Sequence, residues 1–154
     1  MSARIASGAC FCGAIVAQMH GDPFWICYDH DADCRRAIGS PFVVWVGYRP
    51  DQFHLIQGSP SSFSKTKGVI RTFCSSCGTS IGYVDEGMAD EVYIALGFFD
   101  DPENFRPEAH AYWREKLSWV EFADGLPRID GYTRPRDPAL GTPNQRKKPI
   151  VVNT

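Results

Sequence analysis

Two short cysteine pairs constrain this chain more than any other feature. Cys10 and Cys12 stand in GACFCG, Cys74 and Cys77 stand in FCSSCG, and each pair runs directly into a glycine, Gly13 or Gly78. A glycine there can take a positive φ, which lets backbone amides turn toward the sulfurs and the two thiolates converge as a knuckle. Two knuckles supply the four soft donors of a closed tetrahedral site, the donor set that suits a structural zinc. Because the pairs lie far apart in the chain, one ion would tie the N-terminal strand to the middle of the sequence. Its binding free energy then becomes folding free energy. Four inert, packed thiols are the bland alternative, and two tight pairs that both end in glycine count against it.

The chain has 154 residues, 44% of them hydrophobic, and six cysteines. That length builds one core without staples, so the cysteines read as metal or catalytic residues and not as a disulfide framework. A formal charge of -2 leaves no global footprint for a nucleic acid or an anionic membrane. No apolar run approaches the roughly 20 residues that span a bilayer, and MSARIASGACFCG lacks the apolar core of a secretory signal. The expected location is the cytoplasm.

Between regularly spaced glycines and prolines lie short segments rich in Val, Ile, Phe, Tyr and Trp, the composition of strands. Strands are expected over 14–19, 42–48, 53–57, 69–73, 80–84 and 91–98, with a turn-rich connection over 100–107. The segment 109–122 fits a short helix or an extended arm, since its aromatics follow neither period. Residues 1–132 form the expected β domain and 133–154 an extended or flexible tail. Its prolines and its RKK run read as solvated chain, not as a nucleic-acid surface.

A second constellation surrounds Cys34. The run from Cys27 to Arg36, CYDHDADCRR, places Asp29, His30, Asp31 and Asp33 between two cysteines and ahead of two arginines. Every donor type that zinc accepts is present, and a partly exposed thiol beside Arg35 and Arg36 should ionise easily. The competing reading is an acidic turn leading into a helix, with Cys27 and Cys34 packed inward.

At these residues the sequence resembles the glutathione-dependent formaldehyde-activating enzyme family, which includes the centromere protein V group. GACFCG, CRRAIGSPFVVWV, FCSSCGTSIGY and HAYWREKLSW carry the resemblance, from Gly8 to about Trp119. It implies a mainly β fold of coiled antiparallel sheets, a structural zinc on Cys10, Cys12, Cys74 and Cys77, and a second, catalytic zinc in a CxCxxC run. Aligned on Cys34 and Arg35, the first two cysteines of that run fall on Asp29 and Asp31. Carboxylates are harder than thiolates and hold zinc less tightly, so one zinc per chain is expected, with Cys27 a substitute ligand only if its strand shifts register.

The implied chemistry is that of a carbon–sulfur lyase joining formaldehyde and glutathione to S-hydroxymethylglutathione. Cys34, Asp29 and Asp31 would form a modified metal or catalytic site, with His30 as a further ligand or base. Arg35, Arg36 and Arg71 would bind the carboxylates of an anionic thiol, because guanidinium matches carboxylate in a bidentate way. The implied partner is a small-molecule thiol or its aldehyde adduct; homo-oligomerisation is left open. The rival is a non-catalytic, zinc-stabilised binding module, and a closed, metal-free space over Cys34 would favour it.

Overall fold

A computed structural model describes residues 4–135 and Ala139. Its elements in chain order are β1 (Ile5–Ala9), β2 (Val16–His20), β3 (Trp25–Asp29), α1 (Ala32–Ile38), β4 (Val43–Tyr48), β5 (Phe53–Gln57), β6 (Ser61–Phe63), β7 (Val69–Phe73), β8 (Ser80–Asp85), β9 (Val92–Ala95) and β10 (Ala109–Ala111), joined in places by single turns of 3-10 helix. One sheet has the order β1-β2-β5 and the other β10-β3-β4-β9-β8-β7-β6. All pairings are antiparallel except that of β10 with β3, which is parallel.

Every residue of β4 is buried, and a strand with both faces covered reads as a continuous apolar run such as VVWVGY. Alternation sends Val44, Val46 and Tyr48 to one side, where Ile26, Ile94, Phe98 and the β2 residues Ala17 and Met19 complete a core between the sheets. Val43 and Trp45 point to the other side, into a second cluster with Cys27, Cys34, Tyr93, Ala95 and Ala111. The functional site sits in this second layer.

Expected and observed strands agree closely at β4, β5, β7 and β8. The segment 91–98 instead breaks after Ala95 into a 3-10 turn, Leu96–Phe98, which swings Phe98 into the core. β2 starts later than expected because residues 10–15 are folded around the first knuckle, with Cys10 N donating to Ile15 O at 3.0 Å. In the segment 109–122 both alternatives are partly realised, as β10 followed by the 3-10 turn Trp113–Glu115.

The run around Cys34 takes the strand–turn–helix path. Asp31 is the N-cap of α1, its carboxylate accepting from Cys34 N at 2.9 Å, and Gly39 ends the helix in the left-handed region at φ 75. Past the expected domain end, Thr133 and Arg134 still pack on the body: Trp25 Nε1 donates to Thr133 Oγ1 at 2.8 Å, and Arg134 bonds Glu91. The remainder of the expected tail, apart from Pro135 and Ala139, lies outside the described residues.

Gly82 of β8 pairs with Ile94 of β9 where the two strands approach closely. A Cβ on Gly82 would run into the Tyr93 carbonyl oxygen, whereas one on Gly97 would meet nothing within 4 Å. Gly82→Ala should therefore destabilise the protein by about 1–3 kcal/mol, and Gly97→Ala should leave it nearly unchanged. Urea unfolding of the two variants checks this; similar midpoints for both would contradict it.

Candidate metal centre and acidic cavity

The two knuckles form as their glycines allow. Gly13 and Gly78 have φ of 76 and 78; Gly13 N donates to Cys10 O at 2.9 Å and Gly78 N to Cys74 O at 2.8 Å. Further bonds turn donors toward the sulfurs. Ile15 N donates to Cys10 Sγ at 3.2 Å, and Thr79 Oγ1 lies 3.1 Å from Cys77 Sγ while accepting from Phe11 N at 3.0 Å, which links the knuckles. The Thr79 hydroxyl and amide hold the Cys77 thiol down to about 6, poised as a thiolate.

All four donor atoms lie within 4.8 Å of one another. The Cys10–Cys12 and Cys12–Cys74 sulfur separations are 3.6 and 3.8 Å, close to the tetrahedron edge of about 3.8 Å that a metal–sulfur bond of about 2.3 Å requires. Among the described residues, this is the one group of three or more Cys, His, Asp and Glu whose donors converge in this way.

The second site is a cavity of about 50 Å³. Strand register builds one wall as a row on a single face: Trp45 lies opposite Cys27 and Ala95, Tyr93 opposite Tyr83, and Tyr83 opposite Arg71. The end of β3 and the start of α1 bring Asp29, Asp31, Asp33 and Cys34, and Tyr132 to Arg134 close over the space. Arg71 Nη2 donates to Cys34 Sγ at 3.4 Å, and its guanidinium lies 5.4 Å from the centre of the Tyr83 ring.

Asp29 accepts from Asp31 N and from Trp45 Nε1, both at 2.9 Å. Burial, reinforced by the charge of Asp31, pushes its carboxyl up to about 6 despite those bonds. Burial also raises the Cys34 thiol well above its ordinary range; Asp29 adds to the shift and Arg71 opposes it.

Residues 5–115 match the family described as glutathione-dependent formaldehyde-activating enzyme. The chain belongs to this family. It is also similar to a crystal structure of a Rhodobacter sphaeroides protein, with 16% identity, a TM-score of 0.49, and coverage of 80% of this chain and 98% of that one. No curated protein matches it.

Within this family member, several residues singled out from the sequence stand elsewhere than expected. Cys34 is 5% exposed, not partly open, and its thiol is raised where easy ionisation was expected. Arg35 and Arg36 do not supply the expected stabilisation of the thiolate, because neither lines the cavity: Arg36 is exposed on α1. Arg71, distant in sequence, is the arginine that reaches the thiol. Asp29, Asp31 and Cys34 share the cavity, but their donors do not converge as a metal site. Asp31 instead caps a helix and Asp29 is held by two N–H donors.

His30 is the clearest departure. Strand alternation turns it to the opposite side from its neighbours, so it is neither ligand nor base at this cavity. It is fully buried there beside Phe42, Trp113 and Phe122. His30 Nε2 lies 3.0 Å from His110 Nδ1, and His110 Nε2 lies 2.9 Å from an Asp124 carboxylate oxygen. The carboxylate can only accept, which assigns the His110 proton to Nε2 and the His30 proton to its own Nε2. His30 Nδ1 is left as a buried lone pair, with no hydrogen-bond partner among the described residues. No spacing in the sequence signals this relay, since its members come from three separate segments.

Replacing one thiolate of the four-cysteine centre should remove most of its metal affinity. Cys10→Ser and Cys77→Ser are each expected to lose bound metal and melt far below the parent; variants that keep both metal and melting temperature would refute the assignment.

Burial, with the nearby charges of His110, Lys116 and Arg35, lowers the His30 imidazole to about 4, against about 6.5 when unfolded. The unfolded chain therefore takes up the proton first, and stability is lost as the pH falls from about 6.5 toward 4. The loss amounts to about 2 kcal/mol between pH 7 and pH 5. Asp29, raised to about 6, acts in the opposite sense by binding its proton first in the folded state. His30→Gln isolates the histidine contribution: its urea-unfolding free energy should fall less between pH 7 and pH 5 than that of the parent, by about that amount. Equal falls would contradict the assignment.

Proposed function

We propose that this protein carries carbon–sulfur lyase chemistry of its family's kind, adding a thiol to formaldehyde and reversing the reaction, at the cavity of Cys34, Arg71 and Asp29. The meeting of Arg71 with Cys34 beside a carboxyl poised near 6 carries this reading. In the forward direction the thiol proton passes to Asp29 as the S–C bond forms. The carbonyl π pair moves onto oxygen, which Arg71 stabilises by donation until that oxygen takes up a proton. Asp31 caps α1 and so positions Cys34, and the Cys34 sulfur holds Arg71 in place. The product with glutathione is S-hydroxymethylglutathione.

The four thiolates suit zinc, one ion per chain, which closes the fold and stands apart from the chemistry. No helix of the described residues is long and apolar enough to cross a membrane, and we place the protein in the cytoplasm. The small size of the cavity, about 50 Å³, favours a second reading, a zinc-stabilised binding module without turnover.

Two measurements separate these readings. Metal analysis of protein purified without chelator should give close to one zinc per chain; two tightly held ions would return the second site to metal chemistry. NMR exchange between labelled formaldehyde and its thiol adduct should run faster with the protein than in buffer, and Arg71→Met should lose about 10²-fold of that acceleration. Exchange at the buffer rate with folded parent protein would leave the binding module.

A further inference from the structure

We infer that the Tyr83 hydroxyl is a hydrogen-bond donor, beside Arg71, to the oxygen of a small carbonyl compound held in this cavity. Its part in turnover rests on the carbon–sulfur reading above; the donor site itself rests on the geometry of the wall.

Register sets the ring in place. Arg71, Tyr83 and Tyr93 stand directly opposite one another on β7, β8 and β9 and so share one face of the sheet. The Tyr83 ring stacks on Tyr93 with centres 5.2 Å apart and planes at 10°, meets Trp45 edge-on at 4.8 Å, and carries the Arg71 guanidinium 5.4 Å from its centre. Such contacts attract both the rings and the cation over them, and together they fix the direction of the phenol. The charges that act most on its hydroxyl are those of Cys34 and Asp29, the residues that line the cavity from the end of β3 and from α1.

The neighbouring donors are committed. Trp45 Nε1 donates to Asp29 at 2.9 Å, the Tyr93 hydroxyl to Glu91 at 2.6 Å, the Tyr132 hydroxyl to Asp85 at 3.5 Å, and the Tyr112 hydroxyl to Tyr132. The Tyr83 hydroxyl has no hydrogen-bond partner among the described residues. A ligand oxygen in the cavity would supply one, and a polar group in such a place is costly without it. Burial, reinforced by Cys34 and Asp29, raises the phenol well above its ordinary range, so it stays a neutral donor.

Tyr83 also closes the proton balance of the addition. As the thiol sulfur bonds to the carbonyl carbon, its proton goes to Asp29 and the π pair leaves an alkoxide on oxygen. Arg71 stabilises that alkoxide, and the Tyr83 hydroxyl protonates it to give the hydroxymethyl thioether. The proton on Asp29 then returns to the phenolate, and both residues end as they began. At about 50 Å³, far below the roughly 300 Å³ at which pockets take drug-sized ligands, the space suits a one-carbon carbonyl.

Tyr83→Phe removes the hydroxyl and keeps the ring, so the stack on Tyr93 and the contact with Arg71 survive. With the full, metal-loaded chain carrying 13C at tyrosine Cζ, formamide, an unreactive one-carbon carbonyl, should shift the Tyr83 resonance in NMR titrations. Its affinity should fall about tenfold in Tyr83→Phe. In the formaldehyde exchange assay with glutathione, Tyr83→Phe should lower kcat by about 10²-fold with KM little changed. Formamide binding that depends on Tyr83, with the parent exchanging at the buffer rate, would reject the carbon–sulfur reading and leave the donor site standing. An unmoved Tyr83 resonance, equal formamide affinity in the two proteins, or a Tyr83→Phe protein that keeps the parent's accelerated exchange would overturn the inference.

Discussion

The cysteine centre holds together what the strands alone leave separate. Cys10 and Cys12 sit at the turn between β1 and β2, while Cys74 and Cys77 sit at the tip of the β7–β8 hairpin, in the other sheet. Cys12 and Cys74 are 62 positions apart, so closing this contact restricts a long loop, and the metal's binding free energy can offset that entropy. The same hairpin carries Arg71 three residues before Cys74. An ion at the knuckles therefore anchors the hairpin whose far wall presents the guanidinium to Cys34. Structural metal and candidate chemistry are distinct in space yet mechanically linked.

The alternation of β3 makes the second division. Its register against β4 and β10 places Cys27 and Asp29 on the face of Trp45 and Ala111, and Tyr28 on the face of His110. One side becomes the acidic cavity. The other becomes an aromatic layer in which His30 and His110 stack with an interplanar angle of 15° and reach the partly exposed Asp124. The hydrogen bond between their rings fixes the segment on both sides of the turn that leads into α1. Displacing His30 would thus move Asp29 and Asp31, although it touches neither the cavity nor its contents.

Much of this was legible in the sequence where the physics is local. The glycine after each cysteine pair requires a positive φ, and both occupy one. The apolar run VVWVGY announces a covered strand. DHDADCRRAIGS also contains a helix signal, an Asp N-cap at position 31 and a C-terminal glycine at position 39; three metal-ligating residue types in one run left the helix as the competing reading. Reading the aspartates first as ligands hid their backbone duties. Strand β3 was missed for the same reason, and β1 and β6 because short segments such as IASGA and SSF carry too little apolar alternation; β10 falls where an extended arm was one of two open alternatives. Arg71 near Cys34 and the His30–His110–Asp124 relay depend on tertiary contacts alone, which no local spacing encodes.

The aspartates are more than lost thiolates. In the CxCxxC pattern that the resemblance implies, positions 29 and 31 would turn sulfur toward a metal. Here their oxygens accept from Trp45 Nε1, Asp31 N and Cys34 N; two of these N–H groups are shared between the two oxygens of Asp29, where a cysteine offers a single sulfur. A buried donor stripped of its acceptor costs about 1–3 kcal/mol. Restoring Cys at both positions would therefore free Trp45 Nε1 and loosen the start of α1 before any second ion could compensate. The exchange also works in reverse: the carboxylates are tied into the end of the strand and the helix cap by these bonds, so the geometry of the turn rests on oxygen acceptors. Arg71, from the far hairpin, meets that turn at Cys34. A change of donor at positions 29 and 31 is therefore a change in what holds the turn, and with it in where Cys34 stands relative to Arg71.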